Sequence, residues 1–320
     1  MILGACDDAN NASQAVIWTA ASPGTTPMLL PPLSVLSLLP AGVKTTATAL
    51  SLQNIVVGVS VGAAGTKTPV SWTSAGVVTP LAPPLLLVNT NCVPADINDA
   101  SPPSVVGNCP STSTPGTGTM QGVLWSSVTA AYTTLPVPSG ATNCITTQIT
   151  LVGQILGECF YSADTYKAVV WGPDGTGPQA LTTLGNAAVP RSTATGINDT
   201  GVIACNYLAA GSTLGFKEPC SWDSTGGNTN ALQLTLPAGA NHGSASGVGN
   251  NGKIIGNFET TTGLIHPFHD EPGVTTAVDD GSLAGCPSTA VTAISKGGTV
   301  EAAVAENGTE GAVVEKQSVP

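Results

Sequence analysis

The chain has 320 residues, only 8% of them charged and 4% aromatic, and its formal net charge is −11. Eight scattered basic residues in an acidic chain cannot form the clustered Lys/Arg surface that displaces counterions from phosphates, which excludes nucleic acid as a partner. No run of about 18 apolar residues occurs, so no membrane-spanning segment is expected.

Gly, Pro, Thr, Ser, Val and Ala dominate, the mix of many short strands joined by turns. The first apolar segment, Ile2-Leu-Gly-Ala-Cys6, contains a lipoprotein-like box at Leu3–Cys6. With only two residues ahead of that box, it reads as a strand, and the chain as a mature or trimmed form of an exported protein. The stretch Pro27–Pro40 is apolar but broken by prolines and reads as an edge strand and connector.

Beyond it the same pattern recurs. Short apolar strands stand at Val56–Ser60, Val105–Cys109, Ile155–Cys159, Val202–Cys205 and Ile254–Phe258, matching Ile2–Cys6. Each is followed by a polar loop and a strand closing on Trp18, Trp72, Trp125, Trp171, Trp222 or Phe268, and these closing residues lie 46 to 54 residues apart. A weaker seventh copy is Val300–Val304 with Gly311–Val314. Two further strands complete each copy. One follows the Trp, as in Ala231–Leu236. The other precedes the turn, as in Ala95–Ile97, Ala245–Gly249 and Thr292–Ile294.

Four strands per copy at this period describe propeller blades. The expected fold is all-β, a single β-propeller of six or seven four-stranded blades, closed by pairing of the N- and C-terminal strands. Residues 1–298 form the repeats and 299–320 a partial last repeat. The large aromatic residues are expected to fill the wedges between blades rather than to form a ligand array.

Ile197-Asn-Asp-Thr-Gly201, Lys253-Ile-Ile-Gly256, Ala168-Val-Val-Trp171, Ala15-Val-Ile-Trp18 and Ile265-His-Pro-Phe268 resemble the HAF repeat family of bacterial extracellular proteins. Gln53-Asn54 and Thr146-Thr147-Gln148 stand in place of the Asn-Asp corner in two copies, and Glu315 in place of Trp in the last. The resemblance implies a secreted repeat propeller and carries no catalytic residues.

Eight cysteines at patterned places point to an oxidising compartment, extracellular or at the cell surface. Position on neighbouring strands predicts Cys92–Cys109, Cys144–Cys159 and Cys205–Cys220. Cys6 and Cys286 remain, and pairing them would complete the first blade with a strand from the other end. No C-x-x-C spacing suggests a metal.

The chain has three histidines, His242, His266 and His269. His266, His269, Asp270 and Glu271 form the one cluster of metal-ligand types. Strand alternation sends His266 and His269 to opposite faces, which favours a structural role. Asp279-Asp280-Gly281 and Asp174-Gly175 read as turns before they read as calcium ligands. Gly243-Ser-Ala-Ser-Gly247 only approximates a nucleophile elbow, and nothing selects Glu158, Asp164 or Asp174 as a carboxylate pair. Asn11, Asn198 and Asn307 open glycosylation sequons. No catalytic residue, metal or cofactor is expected. The expected function is a non-enzymatic secreted scaffold that self-associates through terminal strands. The alternative is a carbohydrate-binding or carbohydrate-cleaving propeller.

Overall fold

The computed structural model describes residues 1–7, 12–18, 26–34, 42–82, 91–111, 119–162, 165–181, 191–208, 217–225, 231–274, 276–282, 286–306 and 311–317. Among them are 26 strands in seven antiparallel sheets. Sheet 1 holds β1 (Ile2–Asp7), β2 (Ser13–Trp18) and β3 (Met28–Leu29). Sheet 2 holds β4 (Gly42–Leu50), β5 (Val56–Gly62), β6 (Lys67–Trp72) and β7 (Val78–Pro80). Sheet 3 holds β8 (Val93–Ile97), β9 (Val105–Pro110), β10 (Met120–Trp125) and β11 (Tyr132–Thr134). Sheet 4 holds β12 (Asn143–Ile149), β13 (Ile155–Ser162), β14 (Thr165–Trp171) and β15 (Gln179–Ala180). Sheet 5 holds β16 (Ser192–Ile197), β17 (Val202–Leu208), β18 (Lys217–Asp223) and β19 (Ala231–Gln233). Sheet 6 holds β20 (Ala240–Val248), β21 (Ile254–Thr260), β22 (Ile265–Asp270) and β23 (Val278–Asp279). Sheet 7 holds β24 (Ser288–Ile294), β25 (Val300–Glu306) and β26 (Gly311–Gln317).

The chain divides into two compact units. One comprises Met1–Val137, Asn143–Gly157 and Trp171–Pro178; the other comprises Pro138–Thr142, Glu158–Val170 and Gln179–Pro320.

In the first unit consecutive sheets pack face to face. Val56 joins Ala15, Ile17 and Leu30 of sheet 1, whereas its neighbour Val57 joins Val105, Val123 and Trp125 of sheet 3. Successive residues of a strand point to opposite faces, and here both faces are covered, so β5 is buried along its whole length. This is why the second strands read as continuous apolar runs. In the second unit Ala204 and Leu234 of sheet 5 pack on Ala245, Ile254 and Phe268 of sheet 6 in the same way.

Trp72, Trp125, Trp171, Trp222 and Phe268 are fully buried, each contributing roughly 3 kcal/mol of apolar burial, while Trp18 is half-buried. The indoles lie over second-strand glycines: a Cβ built on Gly107 would stand 3.0 Å from the Trp125 ring, and one on Gly157 would stand 2.9 Å from that of Trp171. Phe268 covers Gly256 from directly opposite it, whereas each Trp reaches its glycine diagonally. The smaller ring therefore fills the same space from two residues nearer, and Asp270 holds the register position that Trp125 holds in sheet 3.

Three elements differ from the sequence-based expectation. The corner of sheet 4 is Thr150–Gly153, not Thr146–Gln148, which lie inside β12. Gly153 takes the left-handed angle there (φ +87°), as Asn54 does in sheet 2 (φ +60°). Cys6 and Cys286 are free thiols, so the bridge expected between them is not formed. The reason is topological: β24, expected beside β1, instead heads sheet 7 by pairing with β25. No sheet among the described residues combines strands from the two ends, so the expected pairing of N- and C-terminal strands is absent there. Sheet 1 thus holds counterparts of the second, third and fourth strands, and sheet 7 of the first, second and third. The expected boundary at 298/299 falls in the hairpin that joins β24 to β25.

Candidate functional site

Cys92 is bonded to Cys109 between the first and second strands of sheet 3, with Cα atoms 4.1 Å apart. Cys205 is bonded to its direct register partner Cys220 between the second and third strands of sheet 5, at 4.8 Å. Cys144 and Cys159 are also disulfide-bonded, making three bridges.

A second set of ties was not foreseen. Asn206 of β17 donates to the Ala245 carbonyl (3.0 Å) and accepts from the Ala245 amide (2.8 Å) on the outer edge of β20. Asn108 does the same to Thr146 (3.0 and 2.8 Å), and Asn257 to Val291 (2.9 and 2.7 Å). Each asparagine gives an edge strand the partners that a further strand would have supplied. The indoles add another tie: Trp72 Nε1 donates to Pro31 O (2.8 Å), Trp125 to Ala82 O (3.1 Å) and Trp171 to Pro136 O (2.8 Å). Every acceptor lies just past the fourth strand of the preceding sheet. Corner residues extend the network, with Asn98 donating to Thr150 O (3.2 Å) and Asn198 to Gly249 O (3.0 Å).

That network decides several sequence candidates. Asn198 is buried, accepts from the Thr200 amide and hydroxyl, and belongs to the framework rather than to an accessible glycosylation site. Asn11, Asn307 and Asp164 lie outside the described residues. Glu158 sits inside β13, and Asp174 in a 3-10 turn (Pro173–Gly175). Ser244 and Ser246 lie within β20, Ser246 at a register shift, not in a strand-to-helix elbow.

The histidines separate as strand alternation requires. His266 Nδ1 lies 3.2 Å from Asp279 on one face of sheet 6, and His269 Nδ1 lies 2.8 Å from Asp280 on the other. Glu271 pairs with the buried Lys253 at 3.0 Å and lies 4.0 Å from His269 Nε2, and Asp279 also closes its own turn by accepting from Gly281 N (2.7 Å). No group of three or more His, Cys, Asp or Glu that could hold a metal exists among the described residues. Burial raises the Asp270 carboxyl above its ordinary value.

A small cleft in the second unit lies where β14 begins and β17 ends. Arg191, immediately ahead of β16, bridges Tyr166 of β14, while Ser192 and Thr193 pair with Tyr207 and Asn206. Together they line a cleft of about 40 Å³. The Arg191 guanidinium carbon stands 6.0 Å from the Tyr166 ring centroid, and Lys167 Nζ stands 5.2 Å from that of Tyr161. Phe160 tilts against Tyr166 with centroids 6.4 Å apart. Tyr207 faces Glu218 in register, and burial, helped by that carboxylate, pushes its hydroxyl up to about 12. Burial also raises Glu218, opposed by nearby His242, which itself pairs with Glu259 at 3.3 Å.

None of these cleft residues stood out in the sequence. The available signal was scarcity: Arg191 is the chain's one arginine, and Tyr161, Tyr166 and Tyr207 are three of its four tyrosines.

No protein-family model matches the chain, and no curated protein does. Solved structures do match. One comes from an analysis of two prolyl endopeptidases (TM-score 0.62, 9% identity), covering 97% of this chain and 47% of that one. Another is a post-proline cleaving enzyme from Rickettsia typhi (TM-score 0.61, 10% identity), covering 98% and 50%. A third is puromycin hydrolase (TM-score 0.59, 13% identity), also covering 98% and 50%. The chain thus spans about half the length of these structures. At such identities the likeness shows the fold alone, which is of the β-propeller type.

Proposed function

We propose that this chain is a non-catalytic propeller of seven repeat units that serves outside the cytoplasm as a scaffold. It associates with copies of itself through the strand edges left open on sheets 1 and 7. The observation that carries this reading is the make-up of the two end sheets. Among the described residues every other second strand is flanked on both sides, whereas β1 pairs with β2 alone, and β26 ends its sheet with β25 as its sole partner. An open strand edge is a row of unpaired amide and carbonyl groups, which favours strand addition from another chain. Between these ends asparagine side chains bond the edge strands β12, β20 and β24, which disfavours strand addition at those three edges.

The three disulfides favour an oxidising location, and the HAF-like repeat agrees with secretion. Joining unlike ends makes a head-to-tail contact, which gives a filament where rotation does not close it. Light scattering over a dilution series, with electron microscopy of the same samples, tests the reading. Particles that grow with concentration are expected; a strictly monomeric species throughout overturns it.

A further inference from the structure

We infer that the cleft at Arg191, Tyr166 and Tyr207 binds a neutral saccharide, with one sugar ring lying on Tyr166 and its hydroxyls entering the cleft. This inference does not depend on self-association, since it concerns a different part of the molecule.

The first ground is the distribution of side chains. The five tryptophans are spent on packing or on half-buried positions within sheets. Of the other aromatic residues, Phe160, Tyr161, Tyr166 and Tyr207 gather at one end of neighbouring sheets with the sole arginine. Phe160, Tyr161 and Tyr166 are only half-buried, so ring surface remains accessible. A fold core needs no such collection at a strand end, whereas a sugar needs flat apolar faces for its C–H surface beside hydrogen-bonding groups.

The second ground is the cleft itself. At about 40 Å³ it accepts one or two groups the size of a water, which suits hydroxyl or hydroxymethyl groups rather than a whole ring. Its walls are fixed in advance: Asn206 is held by both polar groups of Ala245, and Ser192 Oγ accepts from the Ala168 amide (3.2 Å). Arg191 supplies donors only, while the hydroxyls of Tyr207 and Thr193 both donate and accept. A sugar hydroxyl, which also does both, matches that mixture. Against acidic sugars stands the chain's net charge of −11, with Glu218 and Glu259 at the same end of the sheets offsetting Arg191 and Lys167.

The test is calorimetric titration and array binding of the full chain with neutral oligosaccharides of glucose, mannose, xylose and galactose, set against an oligouronate of equal length. Saturable binding of at least one neutral probe is expected. Arg191→Lys keeps the charge but loses the planar fork, and should weaken it about tenfold. Tyr166→Ala removes the platform and should weaken it by about tenfold or more, whereas Tyr166→Phe, which keeps the ring, should bind nearly as the parent does. Melting curves of each variant separate lost binding from lost folding. If Tyr166→Ala does not fold, Arg191→Lys against Tyr166→Phe decides. No saturable neutral probe, binding of the oligouronate alone, or binding unchanged by Arg191→Lys and Tyr166→Ala overturns the inference.

Discussion

Replacing Asn206 with alanine tests the asparagine ties directly. Asn206 and Ala245 are each 3% exposed, and their two hydrogen bonds are 3.0 and 2.8 Å long. The substitution removes both bonds and leaves the Ala245 amide and carbonyl buried without that partner. Each bond contributes about 1 kcal/mol net, and stranding a buried group costs about 1–3 kcal/mol, so the total is about 3 kcal/mol. Unfolding entropy of roughly 2.1 cal/mol/K per residue makes that loss a fall of about 4 °C in Tm for a chain of this length. Differential scanning calorimetry reads it, with Asn206→Asp as a companion that keeps the acceptor but buries a charge and should be no better. Asn108→Ala and Asn257→Ala should follow with smaller falls, because both residues are only half-buried. A change in Tm under about 1 °C for Asn206→Ala would refute the claim that these residues carry the edge strands.

Other substitutions probe the remaining ties. A Cβ at Gly107 would meet the Val93 carbonyl at 2.6 Å and the Trp125 ring at 3.0 Å, so Gly107→Ala should cost about 3 kcal/mol or prevent folding, read by urea denaturation. The double substitution Cys205→Ala with Cys220→Ala opens a loop with a sequence separation of 15, and should cost about 3 kcal/mol by the same measurement. Tyr207 ionises near 10 in the unfolded chain and at about 12 in the folded one. Its contribution to stability is therefore complete below pH 10 and lost as the pH rises towards 12; Tyr207→Phe should flatten the alkaline limb of a Tm-against-pH curve.

How far the amino acids announced this structure depends on the distance over which each feature is decided. Strands such as Val56–Gly62 were legible because burial on both faces demands an unbroken apolar run, and the Trp at the end of the next strand marks the period. The pairs Cys92–Cys109 and Cys205–Cys220 were legible because hairpin neighbours are fixed by local turns. The Cys6–Cys286 pairing failed because it required knowing which strand β24 would choose, and the adjacent β25 offered a partner after a short turn. Asn108, Asn206 and Asn257 looked like ordinary polar residues, since their role exists only once the next sheet presents its edge. The cleft was hidden for a similar reason: Tyr166, Arg191 and Tyr207 come from separate stretches of the chain and share no motif.

The indole ties give the repeat a plug and a socket. Trp72, Trp125 and Trp171 each plug a carbonyl presented just beyond the last strand of the repeat before. A gene duplication cut anywhere within the period inserts one plug together with one socket, so copies can be gained or lost whole without orphaning either. Adding or removing a whole period thus keeps every such tie matched, whatever the length of the loops between the tryptophans.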